Sequence, residues 1–252
     1  MVVHKVALVT GSGKQRVGYH VAAALAARGY ALVIHYRTSA AEAESTATDF
    51  ARQYGIPVVT LRADLGNEGE VKALVGEAAT KFGRIDVLVN CAAVWNRRRL
   101  EDVTAADVRS HFETNTLGTF LTCQHAGLVM VRQAEGGCIV NVGDWADTRP
   151  YLDYAAYFPS KAAIPGLTRT FAVELGTRNP KVRVNAVLPG PVMLPPDMSD
   201  EEKAEVIRAT LLKREGSPEH VVRAVLHFVD NDFVTGACLA IDGGRSVYAG
   251  GA

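Results

Sequence analysis

Net charge is what this chain lacks most plainly: 27 Lys and Arg offset 27 Asp and Glu. Nothing in that balance draws it to nucleic acid or an anionic bilayer, so polyanion binding is excluded as a main role. Long apolar runs are missing as well. The run from Ala22 to Ala27 falls far short of the roughly 20 residues that a membrane span requires. The opening M-V-V-H-K-V-A-L-V-T has no basic start, apolar middle and cleavage site of a secretory leader. Cysteine is scarce, and Cys91, Cys123, Cys138 and Cys238 show neither metal-ligand spacing nor a dense disulfide pattern. These absences predict a cytoplasmic protein with free, mostly buried thiols, no metal, no nucleic-acid partner and no membrane partner.

What is present is alternation. Short apolar runs bounded by turn residues alternate with longer amphipathic stretches, the pattern of strands and crossover helices that builds a parallel sheet. Strands are predicted at Val6 to Thr10, Ala31 to His35, Val58 to Arg62, Val87 to Asn90, Cys138 to Val142, Val182 to Leu188 and Cys238 to Ile241. Helices are predicted at Val17 to Arg28, Ala40 to Tyr54, Glu68 to Phe82, Ala105 to Arg132, Tyr154 to Gly176 and Pro218 to Val229. The 252 residues suit one α/β domain, doubly wound about a seven-stranded parallel sheet flanked by helices. Pro189 to Ser217 breaks the rhythm with clustered prolines and a short charged helix. It is a substrate loop or a plain surface insertion.

Two constellations carry chemistry. In the first, Thr10-Gly11-Ser12-Gly13-Lys14-Gln15-Arg16-Val17-Gly18 ends a strand and opens a helix, where dinucleotide phosphates meet unpaired backbone N–H groups. After the second strand, Tyr36-Arg37-Thr38-Ser39 stands where an acid would bind the ribose hydroxyls of NAD. With Lys14 and Arg16 these residues instead offer charge-assisted donors to a 2′-phosphate, which points to NADP(H). Asp64, followed by Leu65, either holds the adenine edge or caps a helix; the two look alike in sequence.

In the second constellation, Asp144, Tyr157 and Lys161 bring a carboxyl, a phenol and an ammonium together. Residues four apart share a helix face, so Lys161 is expected to favour phenolate at Tyr157 and bring its pKa down toward working pH. The trio is proton-transfer equipment for a substrate being reduced. A capping role for the aspartate is the plainer alternative. Pro159 is tolerated only near a helix start, which places that start close to Tyr157. The run Asn96 to Arg99 either attracts an anionic substrate tail or forms an ordinary solvated loop.

Taken in order, these motifs resemble those of the short-chain dehydrogenases/reductases, a family of Rossmann-like fold, over residues 5 to 244. The matching positions are Thr10 to Gly18, the segment Asn90-Cys91-Ala92-Ala93, Asn115, Tyr157 with Lys161, Pro189-Gly190 and Asp242-Gly243-Gly244. Asp144 in place of the usual serine, and Arg16 in the Gly-rich turn, are similar to the pteridine reductase branch. The resemblance implies hydride transfer from NADPH to a pterin-like or folate-type small molecule, with Tyr157 as proton donor. It implies catalytic roles for Asp144, Tyr157, Lys161 and Asn115, the last holding a water behind Lys161. It implies substrate contacts from Arg16, Asp144, Tyr157 and Trp95, the indole stacking on the flat ligand, though Trp95 is equally a loop aromatic. Cofactor contacts are implied for Gly11, Ser12, Lys14, Arg16, Val17, Tyr36, Arg37, Thr38, Ser39, Asp64, Leu65, Asn90, Ala92, Tyr157, Lys161, Pro189 and Gly190, and the assembly implied is a homotetramer. The turn is one residue longer than the branch's, and Ala93 stands where a hydroxyl often holds phosphate. A ketone, 3-oxoacyl or sugar carbonyl reductase and a non-catalytic NADP-binding protein are the alternatives.

Overall fold

β1 (Val6–Thr10) and its neighbours β2 (Ala31–Tyr36) and β4 (Val87–Asn90) are buried along nearly their whole length. Continuous apolar runs are what a strand covered on both faces requires. The computed structural model describes residues 4–196 and 198–248. Seven strands form one sheet in the order β3-β2-β1-β4-β5-β6-β7, completed by β3 (Val58–Arg62), β5 (Gly137–Val142), β6 (Val182–Pro189) and β7 (Cys238–Ile241). Every pairing is parallel.

Alternate residues of each strand feed two cores. Leu8, Val33, Leu88 and Ile139 pack on one face beneath α3 (Glu68–Phe82), α5 (Gly118–Val131) and α6 (Tyr157–Arg178). Ala7, Val9, Ile34 and Val89 pack on the other beneath α1 (Val17–Ala27), α2 (Ala40–Tyr54) and α8 (Pro218–Asp230). The chain runs outward from β1 through β2 to β3 and then returns to place β4 on the other side of β1. Helices on opposite sides of that reversal leave a crevice past the carboxyl ends of β1 and β4.

Two expectations are corrected. The helix expected from Ala105 to Arg132 is α4 (Ala105–His111), a π-helical segment at Phe112–Leu117, then α5. A local widening of the turn leaves apolar periodicity almost unchanged, so the sequence pattern does not reveal it. The helix expected from Tyr154 begins at Tyr157 and ends at Arg178. Pro159 therefore occupies its third position, where first-turn N–H groups have no intrahelical acceptor. After β6, the irregular segment contains α7 (Asp200–Arg208), which starts on a Ser199/Glu202 capping box.

Among the described residues no helix is long and apolar enough to cross a membrane, and no cluster of His, Cys, Asp and Glu could hold a metal ion. All four cysteines are free thiols. Burial pushes Cys91 and Cys123 up to about 12 and Cys138 to about 11, suppressing thiolate.

Candidate active site

The crevice is a cleft of about 1120 Å³. That exceeds the roughly 300–1,000 Å³ of ordinary small-ligand sites, and is room for a dinucleotide beside a substrate. At one end lie Gly11, Lys14, Arg16, Val17, Tyr36, Arg37, Thr38, Ser39, Leu65 and Ala92; at the other lie Trp95, Asp144, Tyr157, Lys161, Pro189 and Gly190. Most of the site residues named from the sequence thus line it. Ser12, Asp64, Asn90 and Asn115 do not line it.

Each of those four is occupied elsewhere. The Ser12 hydroxyl donates to the Val9 carbonyl. Asp64 accepts from the Gly66 N–H through Oδ1, and the cap of α3 is Asn67, so the capping role offered for Asp64 is not filled. Asn90 belongs to a buried chain behind the sheet: Thr122 donates to Asn90, Asn90 to Asn141, and Asn141 to Thr168, over 2.8 to 3.0 Å. Such a chain ties β4 and β5 to α5 and α6, because a buried amide left unpaired costs about 1–3 kcal/mol. Asn115, in the π-helical segment, accepts the Val94 N–H and donates both amide hydrogens, to the Val94 carbonyl and Ser160 Oγ. Its side chain pins the loop carrying Trp95 to α6.

The Gly-rich turn is built from parts the sequence reading passed over. Gly11 has φ +65, and a Cβ there would come within 2.8 Å of the Ala92 Cα, so both conformation and space demand glycine. Its N–H donates to His35 Nδ1 at 3.0 Å, while His35 Nε2 contacts the Ala63 carbonyl at 3.1 Å. The two partners fix the tautomer: Nδ1 accepts and Nε2 carries the hydrogen. Burial lowers the His35 pKa from 6.5 to about 4, keeping the ring neutral. Thr10 Oγ1 accepts from the N–H groups of Cys91 and Ala92, joining the ends of β1 and β4. A buried histidine inside an apolar strand and a threonine closing one were the available signals.

The donors present fit a nicotinamide dinucleotide. Arg16 is the N-cap of α1 and supplies no side-chain cap, so the first N–H groups of that helix face the cleft without a capping side chain. Arg16 and Arg37 have no ion-pair partner among the described residues, whereas Lys14 approaches Glu42 at 3.8 Å on the surface. Arg37 and Thr38 are exposed at the rim.

At the far end, Tyr157 donates its hydroxyl hydrogen to Asp144 Oδ2 at 2.8 Å, and Lys161 Nζ donates to the Val142 carbonyl at 2.8 Å. Tyr157 and Lys161 are almost wholly buried. The expectation that Lys161 lowers the Tyr157 pKa is overturned. Burial, followed by the Asp144 carboxylate, raises it well above 10. Burial likewise raises Asp144 and lowers Lys161. The pair is therefore a neutral phenol bonded to a carboxyl that gives up its own proton less readily than usual. That is a phenol that keeps its proton, not a standing phenolate. Asp144 also caps the following 3₁₀ turn by accepting the Ala146 N–H, so the capping role and the contact with the phenol coexist.

Trp95 is 38% exposed, and Tyr154 stacks against its indole at 5.2 Å with planes 6° apart. One face is thus taken by the protein, and the Tyr157 ring lies 6.5 Å away with its plane at 65° to the indole. In the arginine run after it, Arg97 pairs with Asp153 and Glu202, Arg98 with Asp107 and Arg99 with Glu101, while Asn96 and Arg97 line the cleft. Arg245 is a cleft residue that sequence reasoning missed, because it follows a glycine pair near a tail that reads as frayed.

Comparison with known proteins agrees with this layout. A family model described as enoyl-(acyl carrier protein) reductase matches residues 12–246. A 3-oxoacyl-[acyl-carrier-protein] reductase of Rattus norvegicus is 33% identical, covering 97% of this chain and 99% of that protein. Pteridine reductase 1 of Leishmania tarentolae is 34% identical, with 96% of each chain covered. In structure, a protein of Sinorhizobium meliloti 1021 described as a "putative short-chain alcohol dehydrogenase" superposes with a TM-score of 0.89 at 28% identity over 98% of both chains. A seven-stranded parallel sheet of this order, a Gly-rich turn facing a tyrosine and lysine four apart, and relatives matched end to end make the chain an oxidoreductase of the short-chain dehydrogenase/reductase family.

Proposed function

We propose that the protein is an NADPH-dependent reductase of a pterin-like substrate, with Tyr157 as the proton donor. The observation that carries this is the buried 2.8 Å bond from Tyr157 to Asp144. A carboxyl at that place holds the phenol protonated and oriented, and offers an acceptor to an amino-pyrimidine edge as a serine hydroxyl does less well. Arg37, Thr38, Ser39, Lys14 and Arg16 would hold NADPH, which would supply hydride to a C=N or C=O carbon. Tyr157 gives its proton to the neighbouring heteroatom. Lys161 holds the nicotinamide ribose and carries the positive charge that stabilises the tyrosinate left behind. Asn115 positions the Trp95 loop, and a water relay behind Lys161 is its second proposed role. Trp95, exposed in the cleft, covers the flat ligand, worth about 0.5–1.5 kcal/mol beyond buried area.

The rat relative's activity favours a second reading, reduction of a 3-oxoacyl carbonyl at the same groups. NADPH oxidation followed with dihydropterins, quinonoid pterins, folates, ketones and a 3-oxoacyl thioester separates the two. Turnover confined to pterins and folates supports the proposal; turnover confined to thioesters and ketones overturns it.

The same reading treats residues 1–252 as one cytoplasmic domain whose segment 189–217 is the substrate loop. It also holds that the protein is a homotetramer. Phe112, Leu117, Phe120 and Leu128, exposed along the π-helical segment and α5, support that assembly, and light scattering on the purified protein tests it.

A further inference from the structure

Arg245 sits just after β7 on the turn Asp242–Gly244, at the substrate end of the cleft. Its guanidinium lies 4.6 Å over the Trp145 ring and 5.9 Å from that of Tyr151. The backbone beneath it is tied down: the Arg245 N–H donates to the Asp242 carbonyl at 3.3 Å, and Arg149 donates to the Arg245 carbonyl at 3.2 Å. Further on, Arg149 also donates to the Tyr248 carbonyl, and Lys213 lies over the Tyr248 ring. The segment 245–248 is thus held against its own subunit. Residues 249–252, the rest of the tail read in the sequence as able to reach a neighbour's pocket, lie outside the described residues.

What the guanidinium lacks is an acceptor. Among the described residues no carboxylate pairs with it and no oxygen takes its N–H groups. Two carboxylates act on it from a distance, Asp144 and Glu205 of α7, and burial pulls its pKa below the usual arginine value despite them. A planar cation fixed on an indole, partly desolvated and with its donors unspent, costs stability unless something arrives to use them. Its fixed fork matches a carboxylate in two parallel hydrogen bonds, and the aromatic shelf of Trp145 and Tyr151 removes the entropy loss of ordering it on binding.

We propose that Arg245 is the specificity-determining residue that anchors a carboxylate on the substrate, away from the atom being reduced. This rests on the proposed reductase activity at Asp144 and Tyr157, but not on the ring class reduced there. The cleft accordingly selects acids over otherwise identical neutral molecules, and Arg245 exerts its effect on KM more than on kcat, since a remote anchor binds ground state and transition state alike.

The test uses the full chain with NADPH and two matched substrate pairs: 7,8-dihydrofolate with its dimethyl ester, and a 3-oxo acid with its methyl ester. The wild-type enzyme is expected to favour one acid over its ester by about tenfold or more in kcat/KM, mostly through KM, the size of one charge-assisted pairing. In Arg245→Met that ratio collapses toward one, and Arg245→Lys restores part of it; melting temperatures of the three proteins show that each is folded. A preference on the oxo acid pair alone supports the anchor while sinking the pterin reading. Wild-type ratios near one on both pairs, or an Arg245→Met loss equal for acid and ester, overturns the anchor.

Discussion

Protonating His35 should unfasten the nucleotide end of the cleft, and the size of the effect follows from its burial. The ring is 2% exposed, accepts the Gly11 N–H and donates to the Ala63 carbonyl. Its folded pKa is about 4 against an ordinary 6.5. A depressed folded pKa means that the unfolded chain takes up the proton first as pH falls. The contribution is therefore complete above pH 6.5 and is lost progressively between about 6.5 and 4. At about 1.4 kcal/mol per pH unit of separation, the loss reaches about 2 kcal/mol by pH 5 and about 3 kcal/mol at the bottom of the window. Other carboxylates titrate nearby, so the informative quantity is a difference between proteins. His35→Leu should be less stable at pH 7.5 by about 2 kcal/mol or more, because Gly11 and Ala63 are left without partners. It should also lack this part of the acid slope. Urea midpoints at a series of pH values from 7.5 to 5, for both proteins, give the comparison. Parallel slopes for wild type and variant would refute the reasoning.

Tyr157→Phe should lower kcat by about 10² to 10⁴-fold and leave the NADPH dissociation constant within about threefold, checked by turnover and cofactor fluorescence. Because burial and Asp144 raise the Tyr157 pKa, loss of the phenol proton should put no basic limb in the wild-type rate below pH 10. Asp144→Asn removes one of those two causes and should bring the limb down in pH, read from a kcat/KM profile; an unmoved limb would detach Asp144 from the proton donor. Arg37→Asp should weaken NADPH by roughly tenfold to hundredfold and improve NADH, measured by KM for each cofactor.

The sheet was legible because its central strands are buried on both faces and so write continuous apolar runs, while the edge strands are short apolar stretches bounded by turn residues. The four strands Val6–Thr10, Val58–Arg62, Val87–Asn90 and Cys238–Ile241 fall where expected. The cleft was legible for a different reason: the topology places its lining at strand ends, and there the sequence shows glycine, arginine and hydroxyl residues where an apolar run stops. Contacts between distant segments were not legible. Nothing local reveals that Asn90 faces Asn141 and not the cleft, that Asn115 reaches Val94, or that His35 accepts from Gly11, since each partner is 21 to 51 residues away. The Tyr157 pKa went the opposite way from expectation for the same kind of reason. Helix spacing put Lys161 beside the phenol, but the folded chain gives the lysine to Val142 and the phenol to Asp144. Arg245 became visible only when the turn after β7 brought it over Trp145.

The central claim, hydride and proton delivery across one cleft, is tested most directly by isotope transfer. NADPH deuterated at the transferable nicotinamide position is incubated with a dihydropterin and the product weighed by mass spectrometry. The account predicts one deuterium in the reduced ring with wild-type enzyme, and a rate cut by about 10² or more in Tyr157→Phe. Unlabelled product, or equal rates from the two proteins, would contradict it.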